Sequence, residues 1–191
     1  MYYGTNIEGT DFFAQEVVFF VFFFGAGGRR GTTAFCERAR RRPPPRMVSP
    51  SSSVVVLDGC SCVLHRWTPR TEPLRGAAVV LHGLGAHALY PTVKYAAELL
   101  CERGLAVHAL DLPGHGESAG LRGLLPSATA LEDAGLLVAR RAAAAHPEIP
   151  LFLLGSSMGG ALALAVSRRI PRVAGVVLLA PMLMLDAVSY T

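Results

Sequence analysis

The stretch LFLLGSSMGGALALAV (residues 151–166) runs from a short apolar segment into two serines, a methionine and a pair of glycines. Apolar runs of this length are typical of a buried strand, and the small apolar residues that follow are typical of a helix. At the junction, residues 155–159 match the pattern G-x-S-x-G only when Ser157 is the central serine. If Ser156 were central, larger side chains would occupy both glycine places. Ser157 is therefore the candidate nucleophile.

The geometry of such a junction explains the need for the two glycines. A serine on a tight strand-to-helix turn has a strained backbone, and side chains two residues away on either side would collide. Gly155 and Gly159 remove that collision. The turn would lift the Ser157 hydroxyl clear of the sheet at a helix N-terminus, where developing negative charge is favoured. The alternative is a glycine-rich turn in which the serines have no catalytic role. The motifs in the neighbouring loops are needed to distinguish the two interpretations.

The rest of the chain after residue 53 alternates strand and helix patterns. Residues 53–67 predict a hairpin that turns at Asp58 and Gly59, and Thr129 with Glu132 predicts a capping box that opens a helix. The remaining predicted strands are 77–83, 105–110, 151–155 and 173–180, and the predicted helices are 91–103, 129–145 and 158–169. This alternation predicts an α/β fold with a mostly parallel sheet and helices on both faces.

A second motif, HGLGAH (residues 82–87), follows the first predicted central strand. A loop in that place can aim a backbone N–H at the same oxyanion that is served by the amide after the serine. We predict the amides of Leu84 and Met158 as the two donors. The supporting residues of the loop are His82, Gly83 and Gly85. His82 is interpreted as orienting the loop, not as a catalytic base, because it precedes the glycine turn.

A third motif, DLPGHGES (residues 111–118), follows the next predicted strand. Proline and two glycines make a tight exit turn at the carboxyl end of that strand, where α/β proteins build their sites. Asp111 and His115 could form an acid–base pair. Stabilisation of the turn accounts for both residues equally well, and we favour that interpretation.

Taken in chain order, the three motifs resemble those of the α/β-hydrolase family. They are most similar to those of its monoacylglycerol lipase and lysophospholipase-like esterases, whose patterns are HGxGxH, DxxGHGxS and GxSMGG. The resemblance covers residues 54 to about 186. It implies a serine esterase fold, no metal or organic cofactor, and acyl-glycerol or similar lipid esters as substrates. Ser156 departs from the pattern, because close relatives usually carry histidine there. This leaves the nucleophile unchanged and affects the expectation for the substrate.

The other members of a hydrolase triad follow the serine in the order Ser…Asp/Glu…His. All six histidines precede Ser157, and Asp186 is the one carboxylate side chain after it. We interpret Asp186 as the beginning of a lid, and the sequence as the N-terminal part of an enzyme. The leading function is ester hydrolysis. The alternatives are a truncated noncatalytic chain, and a peptidase or thioesterase on the same scaffold.

The first 52 residues differ in composition from the rest. Seven of the nine phenylalanines lie between residues 12 and 24, and seven arginines lie between residues 29 and 46. The uncharged run 17–28 would span about 18 Å as a helix, against ~30 Å of hydrocarbon. We predict three regions: an apolar leader or membrane-surface segment over 1–28, an Arg/Pro/Ser-rich linker over 29–52, and part of a hydrolase domain over 53–191.

Charge and cysteine content limit the partners. From residue 47 onward there are 11 basic and 10 acidic side chains, so no basic face for nucleic acid is expected. The four cysteines fit no zinc spacing and are interpreted as free thiols, which favours a reducing compartment; they are Cys36, Cys60, Cys62 and Cys101. We expect a cytoplasmic or membrane-associated protein, with membrane-surface contact through residues 12–28.

Overall fold

The computed structural model describes residues 49–70, 72–124 and 127–182. Six strands and three helices alternate along these residues. In chain order they are β1 Ser51–Leu57, β2 Cys60–Trp67, β3 Gly76–Leu81, α1 Pro91–Glu102, β4 Leu105–Leu110, α2 Ala128–Ala145, β5 Leu151–Ser156, α3 Met158–Ser167 and β6 Val173–Leu179. The leader and most of the predicted linker, together with Cys36 and Asp186, lie outside the described residues.

The six strands form one sheet in the order β1-β2-β4-β3-β5-β6. The first two strands and the β2–β4 pair are antiparallel, whereas β4, β3, β5 and β6 run parallel. The β1–β2 hairpin turns at Asp58 and Gly59, whose φ angles of 47° and 77° are those of a primed hairpin turn. The predicted α/β fold with a mostly parallel sheet is confirmed.

Helices cover both faces of the sheet, because the central strands carry apolar residues at every position. On β3, Ala78 and Val80 pack with α1 on one face. Val79 and Leu81 pack with α2 and α3 on the other face. All six residues of β3 are buried, as expected for a central parallel strand. The carboxyl ends of β3, β4 and β5 therefore meet at one edge of a rigid three-layer core.

The start of α2 differs from the prediction. Ser127, not Thr129, caps the helix, because its Oγ accepts a hydrogen bond of 3.0 Å from the Ala130 amide. The Thr129 hydroxyl contacts Ser127 Oγ at 2.9 Å instead. The predicted partner Glu132 instead pairs with Arg169, in the turn just after α3, at 3.3 Å. The serine two residues earlier holds the N-cap place, so the capping box at Thr129 is wrong.

Smaller differences concern element ends and cysteines. Strand β1 begins at Ser51, before the predicted domain start, because Ser51 and Ser52 pair with the end of β2. Helix α3 ends at Ser167, two residues earlier than predicted. The three described cysteines are free thiols, as predicted; they are Cys60, Cys62 and Cys101. Over the described part of the chain, no helix has both the length and the apolar character needed to cross a membrane.

Candidate active site

Ser157 occupies the turn between β5 and α3 in a conformation that few residues other than glycine adopt. Its φ and ψ angles are 53° and −120°, in a strained region of backbone space. The residue is exposed, whereas Gly155 before it and Met158 after it are buried. The hydroxyl therefore stands on the surface at the N-terminus of a buried helix, as the sequence predicts.

The glycines around Ser157 are required by close backbone packing. A Cβ on Gly155 would collide with the carbonyl group of Gly159. A Cβ on Gly159 would overlap the carbonyl oxygen of Leu81 and lie 2.6 Å from that of His82. The turn thus closes on itself because Gly155 lacks a side chain, and it fits against the end of β3 because Gly159 lacks one.

Two backbone hydrogen bonds fix the serine from outside the turn. The Ser157 amide donates to the Leu179 carbonyl at 3.0 Å, and the Ser157 carbonyl accepts from the Met182 amide at 3.0 Å. Both partners belong to the end of β6 and the residues just after it. The strained serine is therefore held by the neighbouring strand as well as by its own helix, which is how a tight fold maintains an unfavourable backbone.

The loop between β3 and α1 (residues 82–90, the β3–α1 loop) passes directly beside the serine. A Cβ built on Gly83 would lie 3.2 Å from Ser157 Cβ and 3.8 Å from its Oγ. The next residue, Leu84, is 60% exposed. The hydrogen bonds of the described turns and loops use neither the Leu84 amide nor the Met158 amide. Two free N–H groups therefore lie on the residues that follow Gly83 and Ser157.

Both ring nitrogens of His82 form hydrogen bonds with backbone groups. Its Nε2 accepts from the Leu112 amide at 3.0 Å, so its Nδ1 carries the proton and donates to the Gly83 carbonyl at 2.8 Å. Burial lowers the pKa of His82 to about 4, and nearby His115 acts in the same direction. A neutral ring with both nitrogens occupied has no capacity to act as a base, which supports the predicted orienting role.

Asp111 lies at the start of the loop between β4 and α2 (residues 111–124, the β4–α2 loop) and is fully buried. Its Oδ1 accepts from the Ala88 amide at 2.7 Å, and its Oδ2 accepts from the Glu117 amide at 2.9 Å. Burial acts to raise the pKa of this carboxyl, but hydrogen bonds from His65, Glu117 and Ala88 outweigh it and hold the pKa below the usual range. The side chain is thus an ionised acceptor of hydrogen bonds.

His115 does not pair with Asp111. Its Nδ1 lies 3.0 Å from the Pro113 carbonyl, which can only accept, so the ring donates there. Its Nε2 is buried without a hydrogen-bond partner among the described residues. The partner of Asp111 is instead His65 of β2, with Nε2 at 3.4 Å from Oδ2. Sequence reasoning missed His65; the signal available was a histidine in a strand that pairs antiparallel with the strand before Asp111.

The remaining histidines are occupied elsewhere. His65 Nδ1 lies 2.9 Å from Ser52 Oγ. His108 packs edge-on against His146 with ring centres 5.6 Å apart, and His87 packs in the same manner against Tyr90 at 6.0 Å. No hydrogen bond joins Ser157 Oγ to an imidazole within the part of the chain that the structure describes. Ser157 Oγ has no base among these contacts.

An apolar groove of about 220 Å³ lies next to the turn, between α1 and the ends of β5 and β6. Its lining residues are Val80, Leu81, Thr92, Val93, Ala96, Leu154, Ser156, Leu179 and Ala180. Ser156 lines this groove, while Ser157 does not, so the two serines serve different surroundings. No cluster of three or more metal-ligating side chains occurs in residues 49–70, 72–124 and 127–182.

A serine raised on a strand–turn–helix elbow, beside a glycine loop at the edge of a mostly parallel sheet, defines an α/β-hydrolase. The sequence family described as serine aminopeptidase, S33, matches residues 72–190. That match covers more than half of the chain, and the chain belongs to this α/β-hydrolase family.

Several named relatives are lipases. The chain is 40% identical over 114 residues to the monoacylglycerol lipase of Mycolicibacterium smegmatis, covering 59% of this chain and 39% of the relative. It is 32% identical over 139 residues to the monoglyceride lipase of Homo sapiens, covering 72% and 45%. The chain therefore spans less than half the length of these relatives.

Solved structures agree on the fold. A soluble variant of monoglyceride lipase from Saccharomyces cerevisiae superimposes with a TM-score of 0.62 at 21% identity, covering 76% of this chain and 50% of that one. A carboxyl esterase from Bacillus coagulans superimposes with a TM-score of 0.55 at 22% identity, covering 69% and 44%. At this identity the likeness concerns the fold alone.

Proposed function

We propose that the protein is a serine-dependent carboxylic ester hydrolase of the monoacylglycerol lipase type, with Ser157 as its nucleophile. The observation that carries this proposal is the positive φ of Ser157 on an exposed turn fixed from both sides. Ordinary packing does not require such strain at a surface serine, and nucleophile elbows do. The family membership and the lipase names of the relatives support an acyl-glycerol or lysophospholipid ester as substrate.

In the proposed reaction, Ser157 Oγ attacks the acyl carbonyl carbon and its proton passes to a base. The carbonyl oxygen becomes an oxyanion, which the Leu84 and Met158 amides stabilise because neither is engaged elsewhere. The alcohol leaves as the carbonyl reforms, and water then hydrolyses the acyl-serine. Gly155 and Gly159 allow the turn to form, while His82, Gly83 and Gly85 shape the loop that presents the Leu84 amide.

None of the six histidines is proposed as the general base, because each contacts groups other than Ser157. A serine hydroxyl is a poor nucleophile at neutral pH without a base. An oxyanion hole and binding alone retain roughly 10³- to 10⁴-fold acceleration over water. We therefore expect the 191-residue chain to acylate slowly and to turn over esters far below ~1 s⁻¹.

A fluorophosphonate probe tests the nucleophile. Ser157 Oγ would bond to phosphorus and expel fluoride, and intact mass with peptide mapping locates the adduct. We expect a serine adduct at residue 157 that Ser157→Ala abolishes and Ser156→Ala retains. The reverse pattern, or an adduct spread equally over several serines, would contradict the assignment of Ser157 as the nucleophile.

The same two variants test the substrate class and whether one of the six histidines acts as the base. Serine-dependent turnover of p-nitrophenyl esters near ~1 s⁻¹ would show that one of the six histidines is the base after all. The family description also names an aminopeptidase, so aminoacyl anilides belong in the panel. Preference for anilides over medium-chain esters, measured by residual serine-dependent hydrolysis, would favour the peptidase alternative over the lipase.

A further inference from the structure

The β3–α1 loop and the β4–α2 loop are cross-linked by two hydrogen bonds that run in opposite directions. His82, directly after β3, accepts from the Leu112 amide at 3.0 Å. Asp111, directly after β4, accepts from the Ala88 amide at 2.7 Å. The segment between His82 and Ala88 is therefore tied at both ends to one neighbouring loop. Leu84 lies between the two ties.

The Asp111 carboxylate is the centre of this cross-link. All three groups around it are donors: the amides of Ala88 and Glu117, and the Nε2–H of His65. A group surrounded by donors is fully satisfied only as an ionised carboxylate, which accepts at both oxygens. The β4–α2 loop also closes around the side chain, because a Cβ on Gly116 would collide with the carboxylate.

We propose that Asp111 is a positioning residue, which holds the Leu84 amide at the oxyanion through its hydrogen bond to Ala88. The inference rests on the proposed function, since it assigns Asp111 a part in stabilising the oxyanion formed at Ser157. Asp111 acts through the β3–α1 loop and not on the reacting atoms. A carboxylate that served the fold alone would affect unfolding without changing the rate of attack in the folded protein.

The substitution Asp111→Asn separates the two roles. Asparagine has the same shape, but one of its two terminal atoms is an NH₂ group that cannot accept a hydrogen bond. The orientation that leaves the oxygen with two of the three donors, Glu117 and His65, turns the NH₂ group toward Ala88. Ala88 then loses its acceptor, and the loop that carries Leu84 is released at that end.

Ser118→Ala is the matched control. Ser118 is buried in the same loop, where its Oγ donates to the Asp111 carbonyl at 2.5 Å and accepts from the Val63 amide at 2.9 Å. Its removal disturbs the β4–α2 loop and its contact with β2. It leaves the Asp111 carboxylate and the Ala88 amide in place.

Two measurements on the 191-residue chain test the proposal. The first is residue-resolved hydrogen exchange, in which Asp111→Asn should speed exchange of the hydrogen-bonded Ala86 and Ala88 amides at least ~10-fold, as expected for local opening, while Ser118→Ala should not. The second is the rate of fluorophosphonate addition. We expect the maximal rate of addition to fall about 10- to 100-fold in Asp111→Asn, because an oxyanion donor is displaced, with the half-saturating probe concentration unchanged.

The two readouts separate this inference from the proposed function. If prolonged exposure to the probe gives no more adduct at Ser157 than at other exposed serines, the proposed function fails. Unchanged exchange of the Ala86 and Ala88 amides in Asp111→Asn would independently overturn the link between Asp111 and the β3–α1 loop. If addition occurs and Asp111→Asn slows it no more than Ser118→Ala does, the positioning role is overturned. If Asp111→Asn does not fold, the exchange rates of the Ala88 and Glu117 amides in the unaltered chain test the link instead. Exchange as slow as that of the β3 amides supports the hydrogen bonds to Asp111, and exchange as fast as that of exposed loops overturns them.

Discussion

Gly159 in the first turn of α3 packs directly against the backbone of Leu81 at the end of β3, with no space for a Cβ between them. The Leu81 carbonyl belongs to a central strand and cannot move without distorting the sheet. This contact fixes how closely the helix that begins after Ser157 approaches the loop that carries Gly83. The spacing between Ser157 and the β3–α1 loop therefore depends on the absence of a side chain at Gly159.

Gly159→Ala should consequently destabilise the fold severely. We expect a loss of about 3 kcal/mol or more in the free energy of unfolding, because a backbone clash in the core has no flexible partner to yield. Urea unfolding followed by circular dichroism measures the loss. Gly175→Ala on β6 is the control, because its Cβ would meet Phe152 at an ordinary 3.4 Å. Similar midpoints for the two variants would contradict the role of the Gly159 contact.

A glycine at position 157 should stabilise the fold relative to alanine, because the backbone of Ser157 is strained. Glycine adopts a φ of 53° without penalty, so Ser157→Gly should relieve ~1–3 kcal/mol of backbone strain and lose up to ~1 kcal/mol to the greater freedom of the unfolded chain. Ser157→Ala keeps the strain and removes the same hydroxyl. We expect the glycine variant to unfold at a higher urea concentration than the alanine variant. The same or a lower midpoint for glycine would show that the turn is not strained.

The motifs around Ser157 were predictable because each is local. A few consecutive residues are enough to recognise G-S-S-M-G, HGLGAH and the apolar runs of β3 to β6. The sequence therefore predicts these elements and the sheet edge at which they meet. The Ser127 cap was missed because two hydroxyl residues compete for the start of α2, and only the observed hydrogen bond to Ala130 decides between them.

The contacts of Asp111 show what a local pattern leaves open. A turn-stabilising role followed from the sequence, but its partners Ala88 and His65 are 23 and 46 residues away. They meet only because β2 and β3 lie on either side of β4, and the pairing register sets which residues reach the carboxylate. Strand order of that kind is a property of the whole sheet.

The composition change at Met47 supports a prediction about the N-terminal region. Residues 1–46 should lie outside the folded domain, since the apolar and arginine-rich runs do not continue the strand–helix alternation. A version that begins at Met47 should melt within about 2 °C of the longer chain and lose association with lipid vesicles. Calorimetry and vesicle flotation measure the two effects. A melting temperature lower by more than about 4 °C, equivalent to ~1 kcal/mol or more, would mean that the leader packs on the domain.

Two buried histidines predict that the domain loses stability in mild acid. Burial, with a smaller effect of His146 and Arg66, lowers the pKa of His108 from 6.5 to about 4, and His82 is lowered similarly. The unfolded chain therefore takes up these protons below pH ~6.5, while the folded chain excludes them down to pH ~4. The free energy of unfolding should be constant above pH 6.5 and fall between pH 6.5 and 4, by about 3 kcal/mol for each histidine.

The substitution His108→Phe removes one such group without breaking a hydrogen bond to its Nδ1, which has no partner among the described residues. Urea unfolding of both proteins from pH 8 to pH 4.5 should give parallel behaviour above pH 6.5 and a fall roughly half as steep for the variant below it. An equally steep fall in His108→Phe would show that His108 is not excluded from protonation in the folded chain.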